Sequence, residues 1–246
     1  MSKIELDYEE AGKIVLRRAT FAAFAAWFDA QARGRTSDAA QNLAIDCADT
    51  PGPEGLAVLF DDFGGLPEEL AGEILEHVGT PGGGANEGYP MVRLREARAA
   101  HTRAGELRAQ IASRTASDGA LVVGGAGDGL PAELAALEPS LLPLDLLDAA
   151  ERVSARAVFF RTPAGVLPFR PPPRLAVAAH VDAMSDFQSN RGDASALGAG
   201  RTLMLASFIG DPQVLAASIE EYPALAQWIP GALRALASGG KVRTQP

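Results

Sequence analysis

The sequence predicts an α+β, mainly α-helical protein made of two similar units, each a β-hairpin followed by several helices, joined by a helical middle segment. Three observations predict it. "KIELDYEEAGKIVLRR" (Lys3–Arg18) and "RAVFFRTPAGVLPFRP" (Arg156–Pro171) both read as strand, Ala-Gly turn, strand, and both lead into an Ala-rich helical stretch. Shifted by 153 residues, Ile4–Ala30 pairs with Ala157–Ala183 without a gap. Shifted by 159, Pro53–Val78 pairs with Pro212–Ala237. The expected segments are residues 1–80 (first unit), 81–152 (linker and Arg-rich middle), 153–240 (second unit) and 241–246 (polar tail).

The first hairpin rests on alternation. Ile4, Leu6 and Tyr8 alternate with charged residues, and Ile14 and Leu16 alternate after the turn, which is the period of a half-buried strand pair. The second hairpin repeats the arrangement with Val158, Phe160, Val166 and Phe169, and it carries Val and Phe where the first strand carries Glu and Asp. The second hairpin is therefore expected to be the more deeply buried, at a junction between units or against a partner. Ala25, Ala26, Asp29 and Ala30 of the following helix align with Ala178, Ala179, Asp182 and Ala183.

The helical pair closing each unit is set by apolar spacing. Leu56, Phe60, Phe63, Leu66, Leu70 and Ile74 align with Leu215, Ile219, Tyr222, Leu225, Ile229 and Leu233, beginning with steps of four and three. Pro53 and Pro212 suit a first helical position, and Asp211 suits an N-cap. Gly79 and Gly239 stand where helices end. The shift grows from 153 to 159, and the extra residues are expected in "SDFQSNRGDAS".

In the middle, "TPGGGANEGYP" reads as a linker. Met91 to about Ala116 reads as a helix with Arg93, Arg95, Arg98, Arg103, Arg108 and Arg114 against Glu96 and Glu106, above a thin stripe of Leu94, Ala97, Ala104, Leu107 and Ile111. Such a helix can be solvated, can dock on acidic faces of its own chain, or can bind an acidic partner. Ala132 to Ala150 reads as helical, interrupted by Pro139 and Pro143.

Composition excludes several classes. The net charge of −9 disfavours nucleic acid, no apolar run approaches a membrane span, and no charged-then-apolar leader is present, so a soluble cytoplasmic protein without nucleic-acid or membrane partners is expected. The single cysteine, Cys47, excludes an internal disulfide and reads as a core residue.

No motif carries clear chemistry. In "LVVGGAGDG" the glycines fall at 124, 125, 127 and 129, which is not the spacing of a dinucleotide loop. His77, His101 and His180 lack a second ligand at metal spacing. His180, Asp182 and Ser185 are the residue types of a hydrolase triad, but they crowd one helix without a nucleophile elbow, and His180 aligns with Trp27, which favours packing. The pairs Asp61-Asp62 and Glu220-Glu221 diverge by about 100° around a helix, so neither pair converges on a substrate. "RGD" (Arg191–Asp193) reads as chance. No catalytic residue, cofactor or metal is expected. The expected partner-binding residues are Val158 and Phe160 of the second hairpin and Arg95, Arg98 and Arg103 of the Arg-rich helix.

The repeated unit resembles the small tail assembly chaperones of bacteriophages and phage-derived particles. The resemblance rests on Leu16-Arg17-Arg18-Ala19-Thr20 and Asp46-Cys47-Ala48-Asp49-Thr50-Pro51 in the first copy. In the second it rests on Asp211-Pro212 and Tyr222-Pro223-Ala224-Leu225. It covers about two thirds of the chain, which is a tandem duplication where family members are usually single copies, and the middle segment has no counterpart. It implies a non-enzymatic factor, in the host cytoplasm if phage-encoded, that holds an apolar helical protein client such as a tape-measure protein during tail building. Two joined copies would add avidity on an extended client, and self-association is compatible with this reading. The alternative is a structural component retained in the phage-like tail or baseplate. An enzyme is the third reading.

Overall fold

The computed structural model describes residues 3–81, 88–118, 129–191 and 194–238, with the backbone alone of 115–118. The Gly-rich stretch before Gly129, most of the Arg-Gly-Asp tripeptide, Gly239 and the polar tail lie outside the described residues. The chain is α+β and mainly helical, with two three-stranded antiparallel sheets among the described residues.

Strands β1 (Lys3–Tyr8) and β2 (Gly12–Arg17) form the first hairpin, with Ile4 opposite Leu16 and Leu6 opposite Ile14. Gly12 takes φ 76° to close the turn, a conformation that costs other residues a Cβ clash. Ile4, Ile14 and Leu16 are buried, as the alternation predicts. Helix α1 (Phe21–Ala32) follows, and the Thr20 hydroxyl accepts the Ala23 N–H at 3.2 Å as its cap. Helix α2 (Thr36–Cys47) then runs into a short strand, β3 (Ala48–Thr50), which pairs with β2 through Leu16 and Ala48. Three residues are too few to show a period of two, so β3 is invisible in the sequence. Helices α3 (Pro53–Asp62) and α4 (Leu66–Glu76) complete the first copy.

The Arg-rich segment starts with a strand, β4 (Met91–Arg93), where the sequence suggested helix from Met91. Helix α5 (Leu94–Asp118) follows, then α6 (Gly129–Leu137), a 3-10 turn (Glu138–Ser140) and α7 (Leu144–Val153). The second copy comprises β5 (Val158–Thr162), β6 (Gly165–Phe169), α8 (Arg174–Gln188), α9 (Ala196–Ser207), α10 (Pro212–Glu221) and α11 (Leu225–Ala237). Its sheet has the order β4-β5-β6.

By their contacts these residues fall into two compact units. One comprises 1–90, 160–167 and 171–246, the other 91–159 and 168–170. The helices of both copies thus share the first unit, and the Arg-rich segment makes up most of the second. The division runs through the β5–β6 hairpin.

Within the first unit the two copies follow the same plan. Helices α3 and α10 have the same length, and α3 buries Leu56 and Phe60 where α10 buries Leu215 and Ile219. Their caps coincide: Phe63 (φ −125°, ψ 77°) and Tyr222 (φ −130°, ψ 76°) each donate their N–H to the carbonyl four residues back at 2.8 Å. Helix α2 buries Ala39, Ala40, Leu43, Ala44 and Cys47, and α9 buries Ala199, Gly200, Leu203, Met204 and Ser207 in the same spacing. In both copies the first helix packs on the second and the second on the fourth. The extra residues of the second copy lengthen α8 to 15 residues against 12 in α1 and fall otherwise between α8 and α9. This is the "SDFQSNRGDAS" region.

In the second unit, α5 turns Leu94, Ala97, Ala104 and Leu107 inward, and α6 and α7 pack on it. Buried Leu147 and Ala150 supply the facing side from α7. The stripe is narrow, and charge supplements it. Arg98 pairs with Asp148 and Glu151 of α7, Arg103 with Glu133 of α6 at 2.7 Å, and Arg108 with Glu138 at 2.9 Å. These pairs are exposed, so each contributes little at low salt and less when screened. Arg98→Ala is expected to lower the urea midpoint only slightly, with a loss that shrinks as salt is raised in parallel titrations.

Candidate functional site

The site emerges from how the two copies meet inside the first unit. Helix α1 of the first copy lies against α9 and α10 of the second. The Phe21 N–H, at the start of α1, donates to a Glu220 carboxylate oxygen at 3.4 Å, and Arg201 caps the Phe21 ring at 4.9 Å while pairing with Glu220 at 3.2 Å. Arg18 approaches Glu221 at 4.0 Å. Farther along α1, Asp29 accepts the Ala196 N–H at the start of α9 at 3.2 Å. Arg33 donates to the Ala194 carbonyl and covers the Phe187 ring. At the end of α4, the Val78 carbonyl accepts the Ala224 N–H, and the Tyr222 ring lies so close over Gly79 that an added Cβ would sit 2.8 Å from it. Gly79 is thus needed both for its φ of 84° and for this approach.

The contact is not reciprocal. The first copy offers the face of α1 and the end of α4, and the second offers α9 and the α10 tip with Glu220, Glu221 and Tyr222. The equivalents of α1 and α4 are α8 and α11, and between them lies an open groove of about 680 Å³. Val177, Ala178, Val181 and Ala235 form its apolar lining, with Arg174 and Arg234 as its ionisable side chains. Arg174 occupies the position of Phe21 and Arg234 that of Leu75. Val181 is 45% exposed and Leu175, on the neighbouring turn, 83%. Two guanidinium donors beside apolar side chains suit an acidic or apolar surface.

The sequence-predicted residues lie elsewhere. Val158 and Phe160 are 1% and 2% exposed, so neither side chain is presented at the surface. The hairpin they belong to is more deeply buried than the first one. Arg98 and Arg103 are engaged by carboxylates of α6 and α7, which is the docking on acidic faces of the same chain that the sequence left open, while Arg95 is exposed. The groove was missed because its signal is an exchange of Phe for Arg between aligned helices, which reads as ordinary divergence until the neighbours are known.

The other candidate groups do not converge. His180 is buried and its Nδ1 has no hydrogen-bond partner, while Asp182 and Ser185 are exposed on the same helix, so no triad forms. His101 is half-buried and donates from Nε2 to the Leu142 carbonyl at 2.6 Å, holding α5 to the segment before α7. His77 Nδ1 lies 3.0 Å from the Glu73 carbonyl at the end of α4. Among the described residues, no group of three His, Cys, Asp or Glu could hold a metal ion. Nor is any described helix long and apolar enough to cross a membrane.

Cys47 is buried at the end of α2, and burial, reinforced by Asp46, pushes its thiol up to about 12. Tyr8, on β1, is raised to about 12 by burial and then by Glu69. Both groups are held neutral by the fold. Their stabilisation is therefore complete below their unfolded values of 9.0 and 10.0 and is lost as pH rises towards about 12. The urea midpoint is expected to be flat up to about pH 8 and to fall between about pH 9 and 12. Cys47 is expected to resist an aromatic disulfide reagent at pH 8 until the protein is unfolded, because the thiolate is the reacting species.

No family model, curated protein or solved structure matches this chain, so the class of protein rests on the duplicated fold and its open groove.

Proposed function

We propose that this chain is a non-enzymatic protein-binding factor, an assembly chaperone or adaptor of a phage-like tail that holds an apolar helical client such as a tape-measure protein. The observation that carries the reading is the α8–α11 groove, whose counterpart in the first copy is filled by folded protein surface. A groove with Val177, Ala178 and Val181 in its lining and two permanent cations at Arg174 and Arg234 suits an apolar helix bearing acidic residues. The net charge of −9 would keep such a complex soluble.

Co-expression with the tape-measure protein of the same gene cluster tests this. The client is expected to stay soluble with the wild-type chain and to precipitate with an Ala178→Asp, Val181→Asp variant, whose changes fall on exposed positions. A client equally soluble with both would refute the groove as its site. The non-reciprocal contact between copies favours a second reading, a component retained in the particle. Quantitative mass spectrometry of purified particles separates the two: a chaperone is absent from finished tails, and a structural component is present at fixed copy number.

A further inference from the structure

We propose that the α8–α11 groove receives the α3 tip of a second copy of this chain, so that copies join head to tail by repeating the contact that already joins the two repeats. The inference rests on the preceding reading only in taking the groove as a protein-binding site, and it names the first occupant. A client would then meet the groove left open at one end of the chain of copies.

The contact inside the chain is heterologous, one patch meeting a different patch. A heterologous contact leaves one patch of each kind unused, which permits indefinite extension or ring closure. The unused acceptor is the groove. The unused donor is the end of α3, where Asp61, Asp62 and Phe63 stand at the positions of Glu220, Glu221 and Tyr222. The donor has the right shape, since Phe63 and Tyr222 share backbone angles and the same capping hydrogen bond. It is also free: Asp61 and Asp62 are exposed, and Phe63 is half-exposed beside an open depression of about 540 Å³ at the β1–β2 turn.

Charge selects the pairing. Within the chain, Glu221 meets Arg18 of the other copy, while Glu220 takes the Phe21 N–H of the other copy and is paired with Arg201 of its own. Between chains, Asp61 and Asp62 would meet Arg174 and Arg234, both exposed at the groove. The first repeat carries Phe21 and Leu75 in place of these arginines, so the cations are specific to the unfilled groove. The small Ser238 and Ala237 at the end of α11 leave room for the Phe63 ring, as Gly79 does for Tyr222.

Sedimentation velocity on the full chain tests this directly. The wild type is expected to show a mass that rises with concentration. Reversing the donor (Asp61→Arg, Asp62→Arg) or the acceptor (Arg174→Glu, Arg234→Glu) is expected to weaken self-association at least about tenfold, because like charges are then opposed across the interface. All four positions are exposed, and unchanged circular dichroism and melting would confirm that the variants fold. Each variant alone should be monomeric. A mixture of the two is the sharpest case: it restores opposite charge at every junction, Asp against Arg and Arg against Glu, so assembly should return with the two variants alternating. A monomeric wild type, or either variant assembling as the wild type does, overturns the inference. If the wild type is monomeric but binds a fluorescein-labelled apolar helix bearing acidic residues, and the acceptor variant does not, self-docking fails while the groove remains a client site. If neither a second copy nor that peptide binds, both readings fall.

Discussion

Phe24→Ala is expected to lower stability by about 3–5 kcal/mol. Phe24 is 1% exposed and stacks on Trp27 with ring centroids 5.5 Å apart, and Phe28 lies 6.5 Å away. Removing the ring forfeits its burial, leaves a cavity on α1, and loosens the helix that faces α9 and α10. The aligned position in the second copy gives the control. Val177 is half-exposed at the groove, so Val177→Ala should cost only about 1 kcal/mol. Guanidinium titrations of both variants check the contrast through their midpoints at constant slope. Similar losses at the two positions would mean that the groove is covered in the isolated chain.

Gly200→Ala is expected to destabilise by about 2 kcal/mol, although alanine is the better helix former by about 1 kcal/mol. An added Cβ would lie 2.5 Å from the Ala226 carbonyl oxygen and 2.9 Å from Pro230 Cγ, so α9 and α11 would have to separate. The obstacle is backbone and a proline ring, which cannot rotate away. The first copy solves the same crossing differently: alanines 40 and 71 stand at the aligned positions. Adding Pro230→Ala to Gly200→Ala should therefore recover part of the loss, while the Ala226 carbonyl keeps the rest. Gly72→Ala is the opposite case. Gly72 lies inside α4 with nothing within 4 Å of its missing Cβ, and the substitution should stabilise by about 0.5–1 kcal/mol. Thermal melts of the three variants would order them as Gly72→Ala above wild type and the double variant above Gly200→Ala.

Much of the local structure was legible along the chain. The alternation of Ile4, Leu6, Ile14 and Leu16 marks the first hairpin, and the spacing of Leu56, Phe60, Leu66, Leu70 and Ile74 marks α3 and α4. The Asp211 cap and the prolines at 53 and 212 mark helix starts. These signals are local because backbone periodicity and capping act within a few residues. β3 and β4 were not legible, since a three-residue strand exists only through its partner. Phe160, Val158 and the Arg-rich helix stood out by composition, yet burial and ion pairing within the chain already occupy most of them.

By itself, then, the sequence determined the mainly helical α+β class and a hairpin-plus-helices order that occurs twice, because both are written in periods and turns that repeat along the chain. Only the tertiary structure decided which of the equivalent faces are covered. Aligned residues such as Phe21 and Arg174, or Glu220 and Asp61, carry no mark of their neighbours. It is the packing of α1 on α9 and α10, with no like partner for α8, that leaves one groove open and one acidic tip free.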